Sequence, residues 1–235
     1  MGRKIVKCKT IFKTKIEADK TCRFKTGMTM KGFMLQPGID YKETFSPAAL
    51  ETSTRMTIRI YLHGIEGIPE HKDIKFKIDM IDIEAAFMEG KLPNPVYIEF
   101  PPGLLEVGII TEEESRTKCI ELTGGMYGSP ESAIQFFREY SNHLKQNGYQ
   151  QSRMDPSVFY KRDEVGRTVL IAVIHVDNTL IVGTQDEINK FKTIVGKRFG
   201  YTGKDGFKKH LGVWYEEQVD KNGNKYIIAT NEKYH

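Results

Sequence analysis

Two aspartates in this 235-residue chain stand where rigid elements could bring acidic side chains together. Asp177 is followed by Asn178, and this polar pair separates two apolar runs between Thr168 and Gly183. Apolar runs joined by one tight polar break are typical of a buried β-hairpin. Asp and Asn tolerate the left-handed backbone of such turns. One interpretation therefore makes the pair turn residues only, and the other carries a carboxylate at the hairpin tip to meet a second carboxylate.

Asp82 is the candidate for the second carboxylate. The residues from Ile74 to Met80 alternate between apolar and charged, which is the pattern of a strand with one buried face. We therefore expect Asp82 at or near the end of that strand. Adjacent carboxylates repel each other unless a cation neutralises them, and oxygen ligands suit Mg²⁺. Two such ions ~3.5–4 Å apart can stabilise both reacting oxygens of a phosphoryl transfer, so the pair indicates metal-dependent nucleotidyl transfer.

The elements that would position these aspartates follow the order strand, helix, paired strands, helix, strand. This β-α-β-β-α-β order is that of ferredoxin-like folds, so we predict an α+β fold. In this topology the first strand and the hairpin lie side by side, which would bring Asp82 close to Asp177. The predicted helices run from Thr52 or Ser53 to Gly64 and Gly67, over 83–88, from Ser129-Pro130 to Asn147-Gly148, and from Thr184 to Gly200; further strands are predicted at 96–100, 157–160 and 226–229, and a surface excursion over 101–117.

The first 35 residues form a basic block. They contain eight lysines and two arginines against two acidic residues, although the whole chain has a net charge of only +4. Basic and apolar residues alternate loosely over 4–15 and 21–35, which predicts a β-hairpin with its turn at 17–20. Such blocks are most often solvated surface. The alternative is a groove for a polyanion, because phosphate neutralisation supplies most sequence-independent affinity for nucleic acids.

Composition excludes several classes of protein. A hydrophobic content of 39% and a charged content of 28% are those of a globular chain. No apolar run approaches the ~20 residues of a membrane-spanning helix, and the N-terminus lacks the apolar segment of a signal peptide. The three cysteines are widely spaced, at Cys8, Cys22 and Cys119. We therefore expect neither a disulfide framework nor a zinc site, and we expect a reducing, intracellular setting.

Several motifs, in their order and spacing, resemble the reverse transcriptase domain of copia-type LTR retrotransposons. The similarity runs from about residue 10 almost to the C-terminus. The motifs that carry it are Lys31–Phe33 with Gly38–Pro47, Met80–Gly90, Tyr97–Gly103, Met126–Gly128, Asp155–Phe159 and His175–Asn178.

The resemblance implies a right-hand polymerase with fingers and a palm that has a ferredoxin-like core. Residues 1–72 and a returning segment, 87–127, would form the fingers; residues 73–86 and 128–215 would form the palm, and 216–235 its edge or the start of a truncated thumb. The implied activity is template-directed DNA synthesis from dNTPs on a primed RNA or DNA template, and the implied partners are an RNA template and a DNA primer or RNA–DNA hybrid, without a membrane. We expect the thumb and RNase H segments to belong to other parts of a polyprotein. The implied location is the cytoplasm, in virus-like particles, or the nucleus.

The resemblance also assigns roles to individual residues. Asp82 and Asp177 would hold two Mg²⁺ or Mn²⁺ ions, with the Ile83 carbonyl as a further ligand and Asn178 at the next catalytic position. The implied nucleotide-binding residues are Lys25 and Lys31 for the triphosphate, Phe87 for steric exclusion of a sugar 2′-hydroxyl, and Tyr127 and Gly128, where the backbone approaches the nucleotide. Each has a plainer alternative: a core residue for Phe87, solvated strand lysines, and a helix-start turn for Gly128.

Departures from the family pattern leave two functions open. Asn178 stands where the family has a second hairpin aspartate, and the lost charge should weaken binding of the second metal. Gly27 replaces a basic fingers residue, and the helix start at 129–134 lacks the usual Lys and Arg. The chain is thus expected to be a weakened reverse transcriptase or a catalytically silent nucleic-acid-binding or scaffold module. An RRM-like RNA-binding domain is disfavoured, because strand 168–176 lacks exposed aromatic residues for base stacking.

Overall fold

The computed structural model describes residues 4–16, 21–65, 71–203, 207, 209–210 and 213–231. The chain divides into two compact units, the first formed by residues 1–46 and 85–140 and the second by residues 47–84 and 141–235. The predicted hairpin turn at 17–20 and the predicted helix end at Gly67 lie outside the described residues. Assignment of chain segments to fingers and palm remains a prediction.

The secondary structure of the described residues is mixed α/β, with few helices and several sheets. The helices are α1 (Glu51–His63), α2 (Ala86–Glu89), α3 (Glu112–Thr117), α4 (Ser132–Gln146) and α5 (Gln185–Arg198). The strands are β1 (Ile5–Val6), β2 (Cys8–Ile16), β3 (Cys22–Met30), β4 (Lys77–Ile83), β5 (Lys91–Ile98), β6 (Ile120–Gly124), β7 (Gln150–Gln151), β8 (Val158–Arg162), β9 (Thr168–His175), β10 (Asn178–Gly183), β11 (Tyr201–Thr202), β12 (Lys209–His210), β13 (Val213–Val219) and β14 (Lys225–Asn231). None of these helices is both long and apolar enough to cross a membrane.

The first unit contains two small sheets. β2 and β3 pair antiparallel over their whole length, from Cys8 opposite Met30 to Ile16 opposite Cys22, which confirms the predicted basic hairpin. In the other sheet β5 lies between β1 and β6. The base of the hairpin joins this sheet in a common apolar core, formed by Val6, Cys8, Met30, Leu35, Val96, Ile98 and Met126.

The second unit is built on a six-stranded antiparallel sheet with the order β11-β4-β10-β9-β8-β7. Ile58 of α1 packs on one face of the sheet against Val173 and Leu180. On β4, Met80 packs with this cluster, whereas Asp79 forms a buried ion pair with Lys192 of α5. Since successive residues of a strand point to opposite faces, α1 and α5 cover opposite faces. The predicted placement of the first strand beside the hairpin is confirmed.

Three of the predicted helix starts are wrong. The helix predicted over 83–88 begins only at Ala86, because β4 continues through Ile83 and Ala85 is left-handed, with a φ of +49°. α1 begins at Glu51 after Leu50, which provides no side-chain cap, whereas Thr52 or Ser53 was expected to cap it. α4 begins at Ser132 instead of at Ser129-Pro130, which lie in the preceding turn. The periodic part of α4 is as predicted, because its apolar stripe is buried: Ile134, Phe137, Tyr140 and Leu144.

The excursion predicted over 101–117 contains a short helix, α3. Thr111 caps it by accepting a hydrogen bond from the Glu114 N–H, and the Glu114 carboxylate accepts one from the Thr111 N–H in return. This capping box is stabilising because it satisfies two N–H groups that have no partner within the helix. α5 is capped as predicted, by the Thr184 hydroxyl.

Candidate active site

The tip of the β9–β10 hairpin is a two-residue turn, Val176-Asp177, since His175 is the last residue of β9 and Asn178 the first of β10. Val176 has a φ of +58°. This corrects the expectation that Asp177 and Asn178 would take the left-handed conformation. For an L-residue that conformation costs roughly 1–2 kcal/mol, and a β-branched residue is a rare occupant. Such strain persists only where the surrounding structure imposes it.

A row of polar residues crosses the end of the sheet beside this turn. Asn178 is the cross-strand partner of Asp82 on β4 and of His175 on β9. Thr202 of β11 is opposite Asp82 on its other side. Directly paired residues share one face of a sheet, so the four side chains stand on the α1 face. The sequence predicted that Asp82 lies near Asp177. The residue directly opposite Asp82 is Asn178, where the resemblance implies an aspartate.

Asp177 adjoins this row through two hydrogen bonds. Its main-chain carbonyl accepts a bond from the Ile83 N–H at 2.8 Å. Its carboxylate accepts a bond from the Asn178 side-chain amide at 3.1 Å. Asp82 is exposed and Asp177 and Asn178 are half-buried. The structure thus brings the two predicted acidic residues, Asn178 and Ile83 to one edge of the sheet.

The donor atoms at this edge are oxygens, which suit a hard divalent cation. Only two of the side chains that supply them are negatively charged. Within the described ranges, no group of three or more His, Cys, Asp or Glu side chains is placed to hold a metal ion. Asp82 and Asp177 supply two carboxylates, and Asn178 adds an amide oxygen while its NH₂ group donates to Asp177. Mg²⁺ takes oxygen ligands of these types and keeps several waters. A third carboxylate at position 178 would complete an acidic cluster directly opposite Asp82.

The predicted nucleotide-binding residues belong to the first unit, where three of them lie near one another. The rings of Phe87 and Tyr127 are 4.9 Å apart between centroids, in an edge-to-face arrangement. Gly128 follows Tyr127 with a φ of +86°, and a Cβ atom there would lie 2.2 Å from the carbonyl oxygen of Met30. The close approach to Met30 therefore explains this glycine without a ligand.

The two predicted lysines are placed differently from each other. Lys31 follows the end of β3, is half-buried, and donates its backbone N–H to the carbonyl of Lys7 at 2.8 Å. Lys25 is exposed in the middle of β3, opposite Lys13. Successive side chains of a strand alternate between its two faces, so Lys25 lies on the opposite face of the hairpin from Met30. Lys31 is therefore close to the Phe87–Tyr127 pair, because the preceding residue, Met30, donates its N–H to the Tyr127 carbonyl. Lys25 has no such connection to the pair among the described contacts.

His210 is a buried residue beside the hairpin that the sequence analysis did not single out. It is 2% exposed, and its ring lies 6.4 Å from that of His175 between centroids. Neither ring nitrogen has a hydrogen-bond partner in the described part of the chain. Burial and the neighbouring His175 lower the pKa of His210 to about 4. No pattern around it in the sequence distinguishes this histidine from a surface one.

A mixed α/β fold with an acidic hairpin beside an aspartate-bearing strand is compatible with a polymerase-like domain. The sequence model of the reverse transcriptase (RNA-dependent DNA polymerase) family matches residues 1–231, and the chain belongs to this family. The match confirms the resemblance that the motifs indicated.

Relatives in plants and yeast agree with this assignment. The chain is 28% identical over 238 residues to the retrovirus-related Pol polyprotein from transposon TNT 1-94 of Nicotiana tabacum, an alignment that covers 99% of the chain and 16% of the relative. It is 29% identical over 180 residues to the retrovirus-related Pol polyprotein from transposon RE1 of Arabidopsis thaliana, with coverages of 76% and 11%. It is 25% identical over 155 residues to the putative transposon Ty5-1 protein YCL074W of Saccharomyces cerevisiae, with coverages of 66% and 46%. The chain thus spans less than half the length of each of these relatives.

Proposed function

We propose that this chain is an RNA-directed DNA polymerase domain that extends a primed RNA or DNA template with dNTPs. The observation that supports it most is the register of β4 and β10, which places Asp82 opposite Asn178 and beside Asp177 at one sheet edge. In this proposal the six-stranded sheet with α1 and α5 is a palm with a ferredoxin-like core, and the β2–β3 hairpin belongs to the fingers. An RNA template, a DNA primer and dNTPs are then the partners.

Asp82, Asp177 and the Ile83 carbonyl would hold Mg²⁺ or Mn²⁺, with the Asn178 amide oxygen as a weaker donor. The bound ions would supply charge stabilisation to the attacking and leaving oxygens of phosphoryl transfer. The Ile83 N–H bond to Asp177 ties the hairpin tip to the end of β4. This bond uses only main-chain atoms, so it does not itself occupy a carboxylate oxygen.

The proposed nucleotide contacts lie in the first unit. Phe87 would exclude a 2′-hydroxyl by the volume of its ring. Lys31 and the exposed Lys25 would neutralise the triphosphate, with a Lys ammonium acting as a mobile point charge. Tyr127 and Gly128 would border the nucleotide with main-chain atoms.

Asn178 favours a second candidate function, a catalytically silent nucleic-acid-binding or scaffold module. The polymerase and the module both use the fold and the basic hairpin. They differ in one property: only the polymerase requires divalent ions at Asp82 and Asp177 for its activity.

The first experiment measures Mn²⁺ binding by electron paramagnetic resonance and Mg²⁺-dependent extension of a primed RNA template. We expect Asn178→Asp to tighten Mn²⁺ binding about tenfold, roughly 1.4 kcal/mol, since it adds a carboxylate to the cluster. It should also increase extension. Asp82→Asn should abolish both, and Asp220→Asn in the exposed β13–β14 turn is the matched control that should change neither. Mn²⁺ binding without extension by any variant would favour the silent module, and Mn²⁺ binding that is indifferent to Asp82 would refute the proposed site.

A further inference from the structure

The glycines at the end of β6 and at the start of the following turn hold the backbone of α2 at close range. A Cβ atom on Gly125 would lie 2.3 Å from the carbonyl oxygen of Phe87, and one on Gly124 would lie 2.5 Å from that of Met88. The Gly125 N–H also donates to the Gly90 carbonyl at 2.8 Å. Only residues without a Cβ permit this approach, so the turn fixes the main chain that carries Phe87.

Tyr127, in the same turn, holds the Phe87 side chain. The ring planes meet at 73°, with centroids 4.9 Å apart, which is the edge-to-face geometry that aromatic pairs prefer. The main chain of Tyr127 is itself anchored, because its carbonyl accepts bonds from the Met30 N–H at 2.9 Å and from the Thr29 hydroxyl at 3.0 Å. Tyr127 is therefore a fixed surface against which the half-buried Phe87 ring rests.

We propose that Tyr127 is a positioning residue for Phe87 and thereby sets the discrimination between deoxyribonucleotides and ribonucleotides. This inference rests on the proposed function. α2 has only four residues, which is too short to fix an aromatic ring by helical packing alone. A ring that excludes a single hydroxyl group must not rotate away from it, and Tyr127 restricts that rotation from the side. Selectivity at the sugar is then a property of the ring pair.

The test is single-nucleotide insertion on a primed RNA template, with kcat/KM measured for dCTP and CTP, which differ only in the 2′-hydroxyl. The full chain and its Asn178→Asp variant are both used as the background. Tyr127→Leu should reduce the preference for dCTP roughly 2- to 10-fold, as expected from the contribution of one aromatic pair. Tyr127→Phe keeps the ring and should retain the preference.

A double-mutant cycle separates positioning from a general structural effect. Phe87→Val should remove most of the preference for dCTP, and Tyr127→Leu added to it should cause no further change, because the two residues act through one contact. Tyr226→Leu is the matched control: Tyr226 is 40% exposed, Tyr127 is 50% exposed, and the change in β14 should leave the preference intact. Thermal unfolding of each variant verifies that it is folded.

The possible outcomes are distinct. If Tyr127→Leu lowers kcat/KM equally for dCTP and CTP, Tyr127 contacts the nucleotide directly and the positioning role is wrong, although the polymerase assignment stands. If no variant inserts either nucleotide in either background, the proposed function fails and this inference fails with it.

Discussion

Asn178 shows how much depends on a single side chain at the sheet edge. It is a direct cross-strand partner of Asp82 in the polar row, and its amide donates to the Asp177 carboxylate. An aspartate in this position would place three carboxylates together, which is costly without a cation. The asparagine relieves that repulsion. Its presence therefore favours folding without metal and disfavours metal binding, by the same electrostatic effect.

Val176 adds backbone strain at the adjacent position. We expect Val176→Gly to raise the free energy of unfolding by about 0.5–1 kcal/mol, because relief of the left-handed strain exceeds the greater entropy of a glycine in the unfolded chain. Urea unfolding at 25 °C measures the change. Val165→Gly is the control, since Val165 is exposed in a turn and lacks a positive φ; it should be neutral or destabilising. Equal effects at both positions would show that Val176 is not strained.

The lowered pKa of His210 predicts how the free energy of unfolding depends on pH. Its pKa is about 4 in the folded protein because of burial and His175, whereas an unfolded histidine has a pKa near 6.5. The unfolded state therefore binds the proton first as pH falls. The contribution of this group to stability is complete above about pH 6.5 and is lost progressively down to about pH 4, by up to roughly 3 kcal/mol.

The corresponding experiment compares wild type with His210→Phe in urea unfolding at pH 7 and pH 5. Wild type should lose about 2 kcal/mol more than the variant between these two values, because the variant has no group to protonate at this site. Identical pH dependence of the two proteins would mean that the buried environment of His210 does not lower its proton affinity.

At the scale of elements, Asp155 anchors the residue before α1 and a hydroxyl of its first turn. Asp155 is 4% exposed, and its carboxylate accepts bonds from the Leu50 N–H at 3.0 Å, the Ser53 hydroxyl at 2.6 Å and the Ser157 N–H at 2.9 Å. The N–H group of Leu50, just before the helix, thus donates to a side chain 105 positions later in the sequence. The Asp155–Phe159 motif links α1 to the strand that precedes the hairpin.

Asp155→Ala should therefore lower the free energy of unfolding by about 2–4 kcal/mol, since it leaves the buried Ser157 N–H and the partly buried Leu50 N–H without acceptors. Ser53→Ala removes one of the three bonds and should cost only about 1 kcal/mol. Chemical denaturation measures both. Asp163→Ala, in the β8–β9 turn, tests whether any turn aspartate has the same effect; a cost as large as that of Asp155→Ala would show that anchoring of α1 is not the cause.

The strongly periodic elements were predictable from the sequence, and the tertiary contacts between them were not. The apolar stripe of α4, the alternation of β4 and the capping residue of α5 identified those elements because each pattern is local. The start of α1 was missed because it has no local side-chain cap and is held by Asp155, a residue distant in sequence. α3 was missed although Thr111 and Glu114 have capping-box spacing; the surrounding Pro and Gly residues had favoured a loop.

In the candidate site, too, the elements were predictable from the sequence and the contacts between them were not. Element order predicted that Asp82 lies beside the hairpin, but it did not give the register, so the direct pairing with Asn178 could not be read from the sequence. Local preferences placed the left-handed residue at Asp or Asn. Pairing of Asn178 with both neighbouring strands overrides that preference and moves the strained conformation to Val176. The contact between His175 and His210 likewise depends on the tertiary structure alone.

At the scale of the whole molecule, positive charge is concentrated on one face of the β2–β3 hairpin. The strand register places four basic residues on that face, and all four are exposed: Lys9, Lys13, Arg23 and Lys25. Phe12 and Phe24 lie on the other face, 79% and 82% exposed. An isolated basic face of this kind attracts a polyanion whether or not the domain synthesises DNA.

Salt dependence of single-stranded RNA binding therefore tests the hairpin independently of catalysis. Each phosphate neutralised contributes about 0.7 to the slope of log K against log salt for single strands, so Lys13→Gln with Lys25→Gln should reduce the slope by about 1.4 if both lysines contact phosphates. Fluorescence anisotropy with a labelled RNA measures it. Lys145→Gln with Lys221→Gln removes the same charge from other exposed positions and should leave the slope nearly unchanged. If both pairs reduce the slope equally, net charge alone drives binding; if only the hairpin pair does, the hairpin is the nucleic-acid interface, and Mg²⁺-dependent synthesis remains the one property that separates a polymerase from a binding module.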